Sequence, residues 1–126
     1  MYYHKRQVNL SFPSAVDKIK DELKKEGFGV LTEIDVKATL KKKLDVEFGD
    51  YVILGACNPP FAYQALQAER DIGLLMPCNV IVYREGDKTF VAAVRPTLSM
   101  QMTGNQNLAG LAEQVEQKLK KAIDSV

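Results

Sequence analysis

The chain has 126 residues, 46% of them apolar and 26% charged, and 17 basic residues against 16 acidic ones leave a net charge of +1. That balance fits one globular domain over residues 1–126 and provides no clustered cationic field for nucleic acid or anionic lipid. No apolar run reaches the roughly 18 residues a membrane span needs, and Met1-Tyr-Tyr-His-Lys-Arg lacks the apolar stretch of a secretory signal, so a cytoplasmic setting with reduced thiols is expected.

The elements follow in chain order. Residues 2–11 alternate and are rich in Tyr, Val and Leu, which predicts a first strand with His4 on the same parity as Val8 and Leu10. Such a histidine reads as satisfied within the fold or as part of an edge strand, ahead of a metal ligand. Pro13 near a helix start, the stripe Val16, Ile19 and Leu23, and Gly27 as a stop predict a helix over 13–26. Residues 28–34 read as a second strand, and Asp35 caps a short helix carrying Val36, Leu40 and Leu44 on one face. Lys41, Lys42 and Lys43 then form a solvated helix face. Tyr51–Cys57, Val80–Tyr83 and Phe90–Val94 are apolar at both parities, and Gly86-Asp87 joins the last two as a hairpin. A strand with one wet face alternates; these do not, so both faces of the sheet should be covered. A helix over Pro60–Asp71 follows the third strand. The last helix starts near Asn105 or Asn107 and buries Leu108, Leu111, Ala112, Val115, Leu119, Ala122 and Ile123.

Two segments hold the only cysteines: Leu54-Gly-Ala-Cys57-Asn58-Pro59-Pro60-Phe-Ala-Tyr63 and Gly73-Leu-Leu-Met-Pro77-Cys78-Asn79-Val-Ile-Val-Tyr83. Each cysteine precedes an asparagine at the edge of an apolar run. With these motifs the chain resembles the DUF302 family, small bacterial and archaeal domains without an assigned activity, over essentially its whole length. The resemblance implies a TBP-like α+β fold, a curved and largely antiparallel sheet with helices packed on one face. The order is strand, helix, strand, short helix, strand, helix, two strands, helix. A parallel crossover would put the two thiols at opposite ends of the sheet, whereas antiparallel strands, as the resemblance implies, put both at one end. A helix of about 12 residues rises about 18 Å, and nearly extended residues 72–77 return about 20 Å. The candidate ligand-binding residues are Cys57, Asn58, Glu69, Cys78 and Asn79. Since one face of that fold is open while these strands are apolar on both, a homodimer or a bound ligand should cover it.

Within the helix expected over Pro60–Asp71, Phe61, Ala65, Ala68 and Ile72 share an arc, and Glu69 falls inside it. A carboxylate there is paired, protonated or bound; a backbone cap, Arg95 or Arg6 are candidate partners. Thiolates beside a carboxylate suit zinc or Cu(I), with Cys57 and Cys78 as the candidate ligands. Cys57, just ahead of the helix beginning at Pro59, is the candidate nucleophile, with Glu69 as a proton-transfer group. Three functions stay open on these residues. The first is a dimeric small-molecule or metal-binding module with its pocket at the Cys-Asn corners. The second is a thiol-dependent enzyme using Cys57. The third is a structural or protein-interaction module whose cysteines pack as small hydrophobes. No GxGxxG or P-loop pattern points to nucleotide phosphate.

Overall fold

The computed structural model describes residues 1–126. One antiparallel sheet holds β1 (Tyr3–Val8), β2 (Gly29–Asp35), β3 (Tyr51–Cys57), β4 (Cys78–Glu85) and β5 (Lys88–Val94), in the spatial order β1-β5-β4-β3-β2. The helices are α1 (Phe12–Lys25), α2 (Val36–Leu44), α3 (Pro59–Ala68), the single turn α4 (Pro96–Ser99) and α5 (Ala109–Asp124). Tighter 3-10 turns fill Arg70–Leu75, Met100–Thr103 and Gln106–Leu108. The chain is thus α+β, with the strand and helix order expected from the sequence.

Local chemistry explains the boundaries. The Ser14 N–H donates to Ser11 Oγ at the start of α1, Pro13 sits in its first turn, and Gly27 leaves with φ +87°. Ala15, Ile19 and Leu23 form the buried stripe of α1, and Ala112, Val115, Leu119, Ala122 and Ile123 that of α5. Both stripes pack on one side of the sheet, against Val8, Val52, Leu54, Val80, Val82 and Val91. Gly86, at φ +64°, turns the two-residue loop between paired Glu85 and Lys88. The ion pair of Arg95 Nε with Glu116 Oε2 at 3.2 Å ties the end of β5 to α5. Glu116 also accepts from the Thr97 hydroxyl at 2.6 Å and the Thr97 N–H at 3.1 Å. His4 stands on edge strand β1 with its Nε2 2.8 Å from Asp124 Oδ1 at the end of α5.

The opposite parity faces away from these helices. The register aligns Lys5 with Ala92 and Ala92 with Ile81, Phe90 with Tyr83, Tyr83 with Tyr51, and Ile81 with Ile53. That apolar layer has no helix over it. The two-sided apolar pattern is real, but the chain covers only one side.

The structure corrects several boundaries. Strand β1 ends at Val8, and Leu10 is exposed. Helix α3 ends at Ala68 rather than Asp71, because Glu69 is extended (φ −150°, ψ 103°) and residues 70–75 tighten into a 3-10 turn. Ile72, in that 3-10 turn, is buried in a second cluster with Ala65, Met100, Leu108 and Ala112. Asn105 caps the turn Gln106–Leu108, and α5 proper begins only at Ala109. No residue of α2 is buried, and Leu44 lies open to solvent.

Candidate functional site

The two thiols come to one end of the sheet. Cys78 opens β4 opposite Ala56, one residue before Cys57, which closes β3 opposite Gly29. Both are free, half-buried, and line one cavity of about 30 Å³ with Phe61, Ala65, Met76 and Met100 among its walls. Burial pushes the Cys78 thiol from 9.0 up to about 11, and the nearby Cys57 adds to the shift. The cavity is about a tenth the size of the smallest pockets that hold organic ligands, roughly 300 Å³. It admits one or two water-sized bodies.

Of the other residues expected at this corner, Asn58 is there and Asn79 and Glu69 are placed elsewhere. Asn58 is buried and lines the cavity, but its Nδ2 donates to the Glu26 carbonyl at 3.1 Å, tying the end of α1 to the start of α3. Asn79 pairs with Gly55, one register position from Cys78, so it stands on the opposite, helix-free face. Glu69 does not line the cavity: its Oε1 accepts from Asn105 Nδ2 at 3.0 Å, and that amide also donates to the Ala68 carbonyl at 2.8 Å. The partner of Glu69 is therefore Asn105, not Arg95 or Arg6, which bind Glu116 and the carbonyls of Asp124 and Val126.

This donor set does not fit zinc. No three His, Cys, Asp or Glu side chains are grouped so that they could hold a metal ion, and a structural zinc takes four such ligands. Nor does a base stand beside either thiol, since the cysteines are the only titratable residues lining the cavity.

The larger concavity lies on the uncovered face of the sheet, where a groove of about 730 Å³ runs across β1, β5, β4 and β3. Its floor is apolar (Ile81, Ala92 and Val94), and its walls are aromatic. The Tyr51 and Tyr83 rings stack with centroids 5.4 Å apart, Tyr83 and Phe90 at 5.2 Å, and Phe48 tilts onto Tyr51 at 6.1 Å. Lys5 Nζ lies 5.3 Å from the Tyr3 centroid, 5.4 Å from Phe90 and 6.0 Å from Tyr83. It also donates to the Tyr83 hydroxyl at 3.3 Å. That hydrogen bond, with the charge interaction of the same Tyr83, raises the Lys5 pKa above its usual value, and the acidic Glu85 adds least. At the other rim, Asp50 holds Arg84 at 3.2 Å and Lys37 at 3.4 Å.

Sequence reasoning fixed on the cysteines and missed this groove. Its signal was present in the every-second-residue series Tyr3-Lys5, Tyr51-Ile53, Ile81-Tyr83 and Phe90-Ala92-Val94, which antiparallel pairing assembles into one surface.

The comparisons agree with this architecture. No curated protein matches the sequence. A crystal structure of an uncharacterized conserved DUF302 protein from Bacillus stearothermophilus superposes with a TM-score of 0.94 at 29% identity, covering 99% of this chain and 98% of that one. The family model described as "Domain of unknown function DUF302" matches residues 4–126. The chain therefore belongs to the DUF302 family.

Proposed function

We propose that this protein is a small-molecule-binding module whose site is the groove on the helix-free face of the sheet, and that its ligand is an amphipathic anion. The observation that carries the reading is Lys5, a cation set among three aromatic rings above an apolar floor. The groove's volume of about 730 Å³ falls in the range of pockets for organic ligands, about 300–1,000 Å³. A carboxylate or sulfonate head meets Lys5, an aromatic or aliphatic body lies on Ile81, Ala92 and the tyrosine rings, and Asn79 offers an amide at the groove's edge. The pocket expected at the Cys-Asn corners is thus transferred to the opposite face, since the cavity at the cysteines is too small for such a ligand.

The homodimer belongs to the same proposal. Leu31, Ile34, Leu44, Val46 and Phe48 are exposed along β2, α2 and the loop after it, beside the groove that Phe48 also lines. Exposed apolar side chains gathered in one region mark an interaction surface, and a second copy sealing it would wall the groove on that side. The two free thiols are consistent with a cytoplasmic setting.

The test is a calorimetric titration with 1-naphthoate and with its neutral analogue 1-naphthalenemethanol. A charge-assisted hydrogen bond is worth about 1.5–3 kcal/mol, so Lys5→Met should weaken naphthoate at least about tenfold and leave the alcohol nearly unchanged. Equal losses for both ligands, or none for either, would refute the assignment to Lys5.

A further inference from the structure

We propose that the small apolar cavity at the Cys57/Cys78 end of the sheet is a Cu(I) site, with the two cysteine sulfurs and the thioethers of Met76 and Met100 as its donors. The chain has two cysteines and four methionines, hence six sulfurs, and four sulfur-bearing residues line this one cavity. They arrive from separate places: the end of β3, the residue before Pro77, the first residue of β4, and the turn after α4. Sequence proximity alone does not explain that convergence.

The character of the cavity selects the ion. Thiolate and thioether donors are soft and favour Cu(I), whereas Mg²⁺ and Ca²⁺ take oxygen ligands. Zinc lacks its donors, because methionine does not complete a zinc tetrahedron of Cys, His and carboxylate. A cavity of about 30 Å³ accepts a bare ion and excludes a hydrated one. The surroundings are Phe28, Phe61, Ala65 and Val115, an apolar shell that suits soft Cu(I), whose charge reduces that of the two thiolates to a single net negative charge. Binding is ligand exchange without redox. Each cysteine that coordinates gives up its thiol proton to solvent, the carrier ligands leave, and copper stays Cu(I). This site is on the opposite side of the sheet from the Lys5 groove and stands or falls independently of it.

The experiment is anaerobic titration of the full chain with tetrakis(acetonitrile)copper(I) against the chromogenic chelator bicinchoninate. One equivalent per chain should resist the chelator and bring a near-ultraviolet thiolate-to-copper absorption. Cys57→Ala and Cys78→Ala should each abolish the absorption of the two-thiolate centre and weaken retention by about a hundredfold, equivalent to roughly 2.8 kcal/mol. Met100→Leu keeps the volume and removes only the thioether; with unchanged circular dichroism it should release copper about tenfold more readily, or about 1.4 kcal/mol. Copper stripped from the native protein as easily as from Cys57→Ala would overturn the proposal, as would zinc competing on equal terms. Retention unaffected by Met100→Leu would remove Met100 from the donor set and refute the four-sulfur centre.

Discussion

At the scale of single residues, Cys78 shows how burial sets chemistry. Burial pushes its thiol from the ordinary 9.0 up to about 11, because desolvation disfavours thiolate. With the folded value raised, the stability gained is fully present below about pH 9 and is lost as pH climbs through about 11. Two units correspond to about 2–3 kcal/mol. Urea unfolding of the wild type should therefore weaken from pH 8 to pH 10.5 by more than in Cys78→Ala, which has no such proton to lose. Parallel declines in the two proteins would contradict the burial of this thiol. Gly55 is a second residue whose role is steric. A Cβ there would run into the Thr32 hydroxyl and the Pro77 ring, whereas one at Gly73 would meet open space. Gly55→Ala should cost about 1–3 kcal/mol in urea unfolding, and Gly73→Ala close to nothing; similar costs at both positions would show that the strand yields freely.

At the scale of elements, most of the fold was legible because capping and periodicity agree. Ser11, Pro13 and Gly27 bound α1, and the stripe from Ala112 to Ile123 defines α5. Legibility failed where a long-range polar contact decided the boundary. Nothing near Glu69 announces that Asn105, 36 residues later, takes both its carboxylate and the Ala68 carbonyl. The apolar period ran on through Ile72, so a longer helix was expected, and Glu69 was aimed at a pocket it does not reach. Removing that contact tests the corrected picture. Asn105→Ala should lower stability by about 1–3 kcal/mol, because the two partners of this half-buried amide lose their donor. Gln67→Ala, on the exposed side of α3, should stay within about 0.5 kcal/mol. Equal effects would mean that Asn105 does not anchor the end of α3. The thiol corner was legible in part: antiparallel pairing brings Cys57 and Cys78 together, but the alternation of side chains sends Asn79 to the other face.

At the scale of the whole molecule, no helix is long and apolar enough to cross a membrane. The sheet has helices on one side only, and its other side carries the aromatic groove. The sequence announced that both faces are apolar, but period and composition alone do not say which elements reach which face. Beside the groove, Leu31 is 67% exposed and Leu44 66%, a surface that a second copy would shield. Sedimentation equilibrium at micromolar concentration should return twice the 14.1 kDa chain mass, and Leu31→Glu combined with Leu44→Glu should return the monomer. A monomeric wild type would leave that surface to another partner.

The central claim, that the helix-free face is the binding surface, is tested most directly by the methyl NMR spectrum of isoleucine. The chain has six isoleucines, at 19, 34, 53, 72, 81 and 123. Ile53 and Ile81 pair on the helix-free face, while Ile19, Ile72 and Ile123 are buried in the helix-side clusters. Titration with 1-naphthoate should move the Ile81 and Ile53 methyl signals in a saturable way and leave those of Ile19, Ile72 and Ile123 in place. Saturable shifts confined to Ile72, the isoleucine that packs with Ala65 and Met100 beside the thiol cavity, would contradict it.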